Sequence, residues 1–120
     1  MSLKILIVDD APFMRFLLRQ ILEGAGHEII GEAEDGKEGV QKFHELSPDL
    51  ITLDVVMPEM TGIEALKEIR KANPRARCVM VTAIDQRDHL LEAMQAGALD
   101  YVVKPFDKER VLEALSRSGC

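Results

Sequence analysis

The sequence predicts an α/β fold, a doubly wound five-stranded parallel sheet with helices on both faces. Two observations carry that prediction. Short apolar runs alternate strictly, five times, with segments of helical period, the pattern of parallel strands joined by right-handed crossovers. The runs are also apolar almost throughout rather than at every second residue, as strands covered on both faces are.

Lys4 to Val8 is a β-branched-rich run, and Ala11 to Glu23 follows with Phe13, Met14, Leu17, Leu18, Ile21 and Leu22 at the spacing of an amphipathic helix. Asp10 suits its N-cap, Pro12 its first turn, where no amide hydrogen is needed, and Gly24 or Gly26 its stop. His27 to Ala33 reads as strand, Glu34-Asp35-Gly36 as turn, and Lys37 to Leu46 as a helix through Val40, Phe43 and Leu46. Ser47-Pro48-Asp49 breaks the chain before strand Leu50 to Leu53; Thr61 or Gly62 then starts a helix with Ile63, Leu66 and Ile69 on one face, ending near Asn73-Pro74. Cys78 to Thr82 is the fourth strand. A helix from about Gln86 to Ala96 is expected next, with Leu90, Leu91 and Met94 inward and Gly97 as its stop. Strand Tyr101 to Val103, the break Lys104-Pro105 and a helix from about Asp107 to Ser116 complete the chain. No linker, repeat or low-complexity segment interrupts it, so residues 1–120 read as one domain.

Composition narrows the function classes. A net charge of -6 and a pI near 5.0 disfavour nucleic acid and anionic membrane, whose binding needs a basic footprint. No basic n-region with a cleavage site opens the chain, and no apolar stretch approaches the ~20 residues of a membrane span. A cytosolic protein is expected. Cys78 lies in an apolar run and reads as a buried hydrophobe, while Cys120 is terminal, so neither a disulfide nor a metal pair is expected of them.

In doubly wound folds ligands bind outside the carboxyl ends of the strands. Those ends carry Asp9-Asp10, Asp54, Thr82 and Lys104. Three carboxylates at one mouth repel, by about 4 kcal/mol for a pair roughly 4 Å apart at an effective dielectric of about 20. Lys104 can neutralise one of them. A hard divalent cation with oxygen ligands offsets the rest, and Mg²⁺, which keeps several waters, suits a shallow site of one or two direct carboxylates. Each residue also has an ordinary reading: Asp9, Asp10 and Asp54 as caps or turn residues, Thr82 as a strand residue, Lys104 as a solvated strand end. The coincidence of acidic, acidic, hydroxyl and basic ends on strands one, three, four and five of one sheet favours a site.

At these residues the chain resembles the receiver domain of two-component response regulators, closest to the single-domain chemotaxis (CheY-like) type. The resemblance spans essentially the full length. It rests on Val8-Asp9-Asp10, Asp54-Val55-Val56-Met57-Pro58-Glu59-Met60-Thr61-Gly62, Val81-Thr82-Ala83, Ala96-Gly97-Ala98 and Tyr101-Val102-Val103-Lys104-Pro105-Phe106. It implies the sheet order 2-1-3-4-5 and makes Asp54 the acceptor of a phosphoryl group from a sensor histidine kinase, a phosphotransfer protein or a small acyl phosphate. It also implies Mg²⁺ held by Asp10, Asp54 and the main-chain carbonyl of Val56, with Asp9 acting mainly through water. Lys104 would pair with the phosphoryl charge, and the Thr82 hydroxyl and Ala83 amide would bond to it. Thr82 and Tyr101 would form the switch that remodels the surface of the fourth helix, fifth strand and fifth helix, read by a target protein or a fused output domain. Lys104-Pro105 resembles the family's cis peptide. The resemblance is equally compatible with a complete single-domain regulator and with a receiver cut before an output domain.

Val56 and Ile84 stand where some members carry polar groups that orient the hydrolytic water, so slow self-dephosphorylation is expected. His27, His44 and His89 are expected in solvent without a catalytic role, and Met14, Met57, Met60, Met80 and Met94 in or near the core. A phosphatase with an Asp nucleophile would want a second Asp at position 56, which is Val, so a turnover enzyme is not expected. A flavin-binding domain would want a Ser/Thr/Gly-rich first loop, which here begins Asp9-Asp10-Ala11-Pro12. The alternative reading keeps the receiver fold as an interaction module without phosphorylation; the full acceptor, metal and lysine set argues against it.

Overall fold

The computed structural model describes residues 2–83 and 88–117. Its elements are β1 (Lys4–Val8), α1 (Pro12–Gly24), β2 (Glu28–Ala33), α2 (Gly36–Leu46), β3 (Leu50–Asp54), α3 (Gly62–Ala72), β4 (Cys78–Ala83), α4 (Leu90–Gln95), β5 (Asp100–Lys104) and α5 (Lys108–Ser116). The strands pair in parallel in the order β2-β1-β3-β4-β5, as expected. The expected helix start at Gln86, together with Ile84 and Cys120, lies outside the described residues. No helix among the described residues is long and apolar enough to cross a membrane.

The two residue parities of each inner strand feed two cores. Ile5, Ile7, Leu50, Val79, Val81 and Val102 pack with Leu18 and Leu22 of α1 and Val111, Ala114 and Leu115 of α5. Leu6, Val8, Ile51, Leu53 and Met80 pack with Phe43 of α2, Ile63, Leu66 and Ile69 of α3 and Ala93 of α4. That use of both faces is why the strands are apolar throughout; each fully buried Leu or Ile contributes about 1.5–3 kcal/mol. Cys78 is fully buried, and burial pushes its thiol up to about 12, which leaves it inert.

One polar atom interrupts the α1/α5 core. The Thr52 hydroxyl is buried with no hydrogen-bond partner among the described residues, on a strand position flanked by Ile7 and Val79. An unsatisfied buried hydroxyl costs about 1–3 kcal/mol, and valine has nearly the same shape. Thr52→Val is therefore expected to raise stability by about 1 kcal/mol, read as a higher urea midpoint with an unchanged slope.

Three helices carry side-chain caps, and the one cap expected from the sequence is not made. Asp35 and Asp107 cap α2 and α5, and Thr61 with Glu64 forms a reciprocal capping box on α3. Asp10 does not cap α1: the capping residue is Ala11, with no side-chain bond, and Asp9 Oδ1 instead accepts from the Ala11 amide at 2.9 Å. The two-residue turn closed by Asp9 satisfies the backbone locally and leaves Asp10 exposed at the mouth.

Periodicity misplaced several side chains. Leu91 and Met94, expected inward, are 69% and 39% exposed, and α4 buries Ala93 with Leu90 half-buried. Leu90, Met94 and Leu91 lie progressively farther round the helix from Ala93, the residue turned to the sheet, and their exposure rises in that order. Phe13 and Leu46 are also exposed, since α1 and α2 turn Leu18, Leu22 and Phe43 inward. His27 is not free in solvent; it is part-buried, and its Nδ1 accepts from the Leu3 amide at 3.1 Å. Met57 and Met80 are buried, Met60 packs on the core and Met14 is half-buried.

Candidate functional site

Strand register assembles the mouth. Val8 pairs with Leu53, so Asp9 and Asp54 leave adjacent strands at the same level; Asp54 pairs with Val81, and Ala83 with Lys104. Alternation from Ile7 and Val102 sends Asp9 and Lys104 toward the α1/α5 side, where Asp54 also falls, two residues after Thr52. Thr82 has the opposite parity, in step with Met80 on the other face.

Carboxylate oxygens of Asp9, Asp10 and Asp54 lie within 4.8 Å of one another. Lys104 Nζ stands 3.0 Å from Asp9 Oδ2 and 3.4 Å from Asp54 Oδ2. Both Asp9 oxygens are thus engaged, one by Lys104 and one by the Ala11 amide, and the residue is only 1% exposed. Asp10, at the exposed rim, and Asp54 retain acceptor capacity. Burial pushes the Asp54 carboxyl up to about 6, the Asp9 charge adds to that, Lys104 opposes it, and Asp10 adds a smaller push. Burial works against the Lys104 ammonium too, yet Asp9 and Asp54 outweigh it and hold the group above the ordinary lysine value. A site with three carboxylates and one ammonium is short of positive charge, and its all-oxygen donors match a hard divalent cation.

The β3–α3 loop is held against Asp54 by a close backbone approach. Gly62 N donates to Val55 O at 2.8 Å, and a Cβ on Gly62 would fall 1.8 Å from the Asp54 carbonyl oxygen. In the same loop Val56 is 50% exposed, so nothing polar is presented by its side chain at the rim. The Lys104–Pro105 peptide is cis.

The structure brings Asp9, Asp10, Asp54 and Lys104 together. Thr82 is fully buried, and its hydroxyl donates to the Ala83 carbonyl at 3.2 Å rather than to a carboxylate. Tyr101 is half-buried, packs against the core on the α4 side, and carries the Arg110 guanidinium 5.8 Å from its ring centroid. Arg110 also bonds the Tyr101 carbonyl and joins Arg117 on the buried Asp100. Sequence reasoning missed Arg15, which donates to the Asp9 carbonyl at 2.6 Å, and Glu32, which binds Arg15 from β2. Neither has a sequence signal beyond a charge on a mostly apolar element.

A family model described as the response regulator receiver domain matches residues 5–116. The chain is 50% identical to the chemotaxis protein CheY of Thermotoga maritima over 117 residues, 98% of each chain. It is likewise 50% identical to the chemotaxis protein CheY of Bacillus subtilis over 118 residues, again 98% of each. Among solved structures it resembles the response regulator domain of Thermotoga maritima CheB, with a TM-score of 0.89, 35% identity and coverage of 98% of this chain and 96% of that one. CheY in the CheX-CheY-BeF3-Mg²⁺ complex from Borrelia burgdorferi gives a TM-score of 0.87 and 37% identity, covering 93% of this chain and 85% of that one.

Proposed function

The chain belongs to the response regulator receiver domain family, and from that premise we propose that residues 1–120 form one phospho-accepting switch of a chemotaxis-type two-component system, with Asp54 as the acceptor. The observation that carries this reading is the group of three carboxylates around one part-buried lysine, among which Asp54 alone is both buried and free to react. Asp10, Asp54 and the main-chain carbonyl of Val56 would hold Mg²⁺, with Asp9 acting through water; bound there, the ion supplies neutralisation of phosphoryl charge.

The residues of the chain do the rest. An Asp54 oxygen attacks phosphorus in line, forming an O–P bond as the P–N bond of a phosphohistidine breaks, and the leaving imidazole nitrogen keeps the electron pair. Lys104 spans Asp9 and Asp54; it can turn from Asp54 to the incoming phosphoryl group while Asp9 still anchors it. The Thr82 hydroxyl, now on the Ala83 carbonyl, would turn to a phosphoryl oxygen, joined there by the Ala83 amide. Tyr101 would then move into the space Thr82 leaves and alter the α4–β5–α5 surface offered to a target or output domain. Val56 supplies no second carboxyl to act as general acid, which argues against net turnover of substrate. A kinase or phosphotransfer protein and a downstream target in the cytoplasm are the partners this reading requires.

The test is exposure to acetyl phosphate with and without Mg²⁺, followed by peptide mapping. Label on the peptide containing Asp54, only with Mg²⁺, is expected; label without metal or at another residue refutes the assignment. A second measurement concerns lifetime. Val56→Asn is expected to hasten phosphate loss, by less than the ~100-fold that a positioned general acid or base gives at the lower end, because an amide orients the water without taking its proton; an unchanged decay rate would show that position 56 does not govern it.

A further inference from the structure

We propose that Arg15 is a positioning residue for the cation site, fixing the peptide that carries Asp10 and thereby setting divalent-cation affinity. The inference rests on the reading above, in which Asp10 is a ligand. Arg15 Nη1 donates to the Asp9 carbonyl at 2.6 Å. That carbonyl lies in the same rigid plane as the amide and Cα of Asp10, so its direction determines where the Asp10 side chain starts. Every other polar group of Asp9 is already tied: its amide to Ala33 O at 3.0 Å, Oδ1 to the Ala11 amide and Oδ2 to Lys104. The remaining freedom at this corner is the Asp9–Asp10 peptide, and Arg15 removes it.

Arg15 is itself clamped. Its Nε donates to Glu32 Oε1 at 3.0 Å, its side chain is only 16% exposed, and Arg19 Nε takes the other Glu32 oxygen at 2.8 Å. Lys42 donates to the Glu32 main-chain carbonyl from α2. The chain of contacts runs from α1 through β2 to the end of β1, so the exposed Asp10 takes its orientation from a network outside the mouth. Glu32 has a second effect, because a bare guanidinium this close would repel a bound cation and the carboxylate cancels that charge.

The sign of one measurement separates positioning from plain electrostatics. If Arg15 acts only as a charge, Arg15→Met removes a repulsion and tightens Mg²⁺ binding; if it positions Asp10, the same change weakens binding. Titration calorimetry of the unphosphorylated protein with MgCl2, well below its melting temperature, is expected to show binding about 10-fold weaker in Arg15→Met, the scale of outer-shell partners of metal ligands. Arg15→Lys should fall between that variant and wild type, and Glu32→Gln combined with Arg15→Met should be no weaker than Arg15→Met alone, since both act through one contact. At saturating Mg²⁺ the labelling rate from acetyl phosphate should return toward wild type, a split that mere loss of stability would not give. Unchanged or tighter Mg²⁺ binding by the folded variants overturns the proposal; absence of Mg²⁺ binding by wild type overturns the functional reading instead. Should Arg15→Met not fold, Arg15→Lys carries the comparison: it keeps the charge, so weaker Mg²⁺ binding than wild type reports positioning, and unchanged binding overturns it.

Discussion

Asp54→Asn is expected to abolish phosphoryl labelling and, in the same protein, to raise stability. The first effect follows from the chemistry: an amide oxygen is a far poorer nucleophile than a carboxylate, and Asp9 cannot replace it with both oxygens engaged by Lys104 and the Ala11 amide. Labelling by acetyl phosphate should fall to background. The second effect follows from the site's charge. Burial and the neighbouring Asp9 push the Asp54 carboxyl from 3.8 to about 6, so the folded protein binds this proton more tightly than the unfolded chain. The stabilisation tied to that proton is complete below about pH 4 and is lost as pH rises through about 6. At pH 7 without metal the ionised carboxylate costs on the order of 2 kcal/mol after allowing for water at the open mouth. Asparagine has no charge to desolvate and keeps an oxygen for Lys104. Urea unfolding in EDTA should therefore show a stability difference in favour of the variant that is small near pH 4 and grows to about 2 kcal/mol by pH 7. Added Mg²⁺ should raise wild-type stability and narrow the gap. A variant that is less stable than wild type across the whole range would contradict the electrostatic account, and labelling that persists would contradict the acceptor assignment.

Gly62→Ala is expected to be the most damaging single-methyl change among the described residues. Its Cβ would fall 1.8 Å from the Asp54 carbonyl oxygen and 2.8 Å from the carbonyl carbon. Backbone cannot swing aside as a flexible side chain can. Relief would need α3 to withdraw from β3, breaking the Gly62 N to Val55 O bond and disturbing the Thr61–Glu64 capping box. Overpacking costs about 1–3 kcal/mol in side-chain cores and more against fixed backbone, so a loss of about 3 kcal/mol or more is expected. The folded fraction should also label slowly, because the strained atom is the carbonyl of the acceptor itself. Gly24→Ala is the matched control: nothing lies within 4 Å of its Cβ at the end of α1, and it should be neutral or stabilising by about 0.5 kcal/mol. Equal urea midpoints for Gly62→Ala and wild type would show that the loop yields where the structure says it cannot.

Much of the fold and part of the site were legible in the chain. The five alternations, the turn at Glu34-Asp35-Gly36, the helix starts near Thr61 and Asp107, the stop at Gly97 and the charged strand ends all rest on local rules, in which a residue's role depends on neighbours within a turn or two. Errors arose where a local rule allowed two outcomes. Asp9 and Asp10 are both competent to close the turn before α1, and Asp9 took that role because its strand carries it inward; Leu91 and Met94 repeat at helical spacing, yet α4 turns Ala93 to the sheet.

The sequence by itself determined that Asp9, Asp10, Asp54 and Lys104 stand at one edge of a parallel sheet, because hydrophobic period and strand alternation are written in neighbouring residues. Only the tertiary structure decided how they are wired. The Lys104–Asp9 contact joins residues 95 apart in the chain, and the Arg15–Glu32 clamp joins α1 to β2. Such pairs depend on strand register and helix rotation, which are set by packing the whole core at once. The same is true of Gly62, whose need for a bare hydrogen comes from the backbone of Asp54 pressing on it.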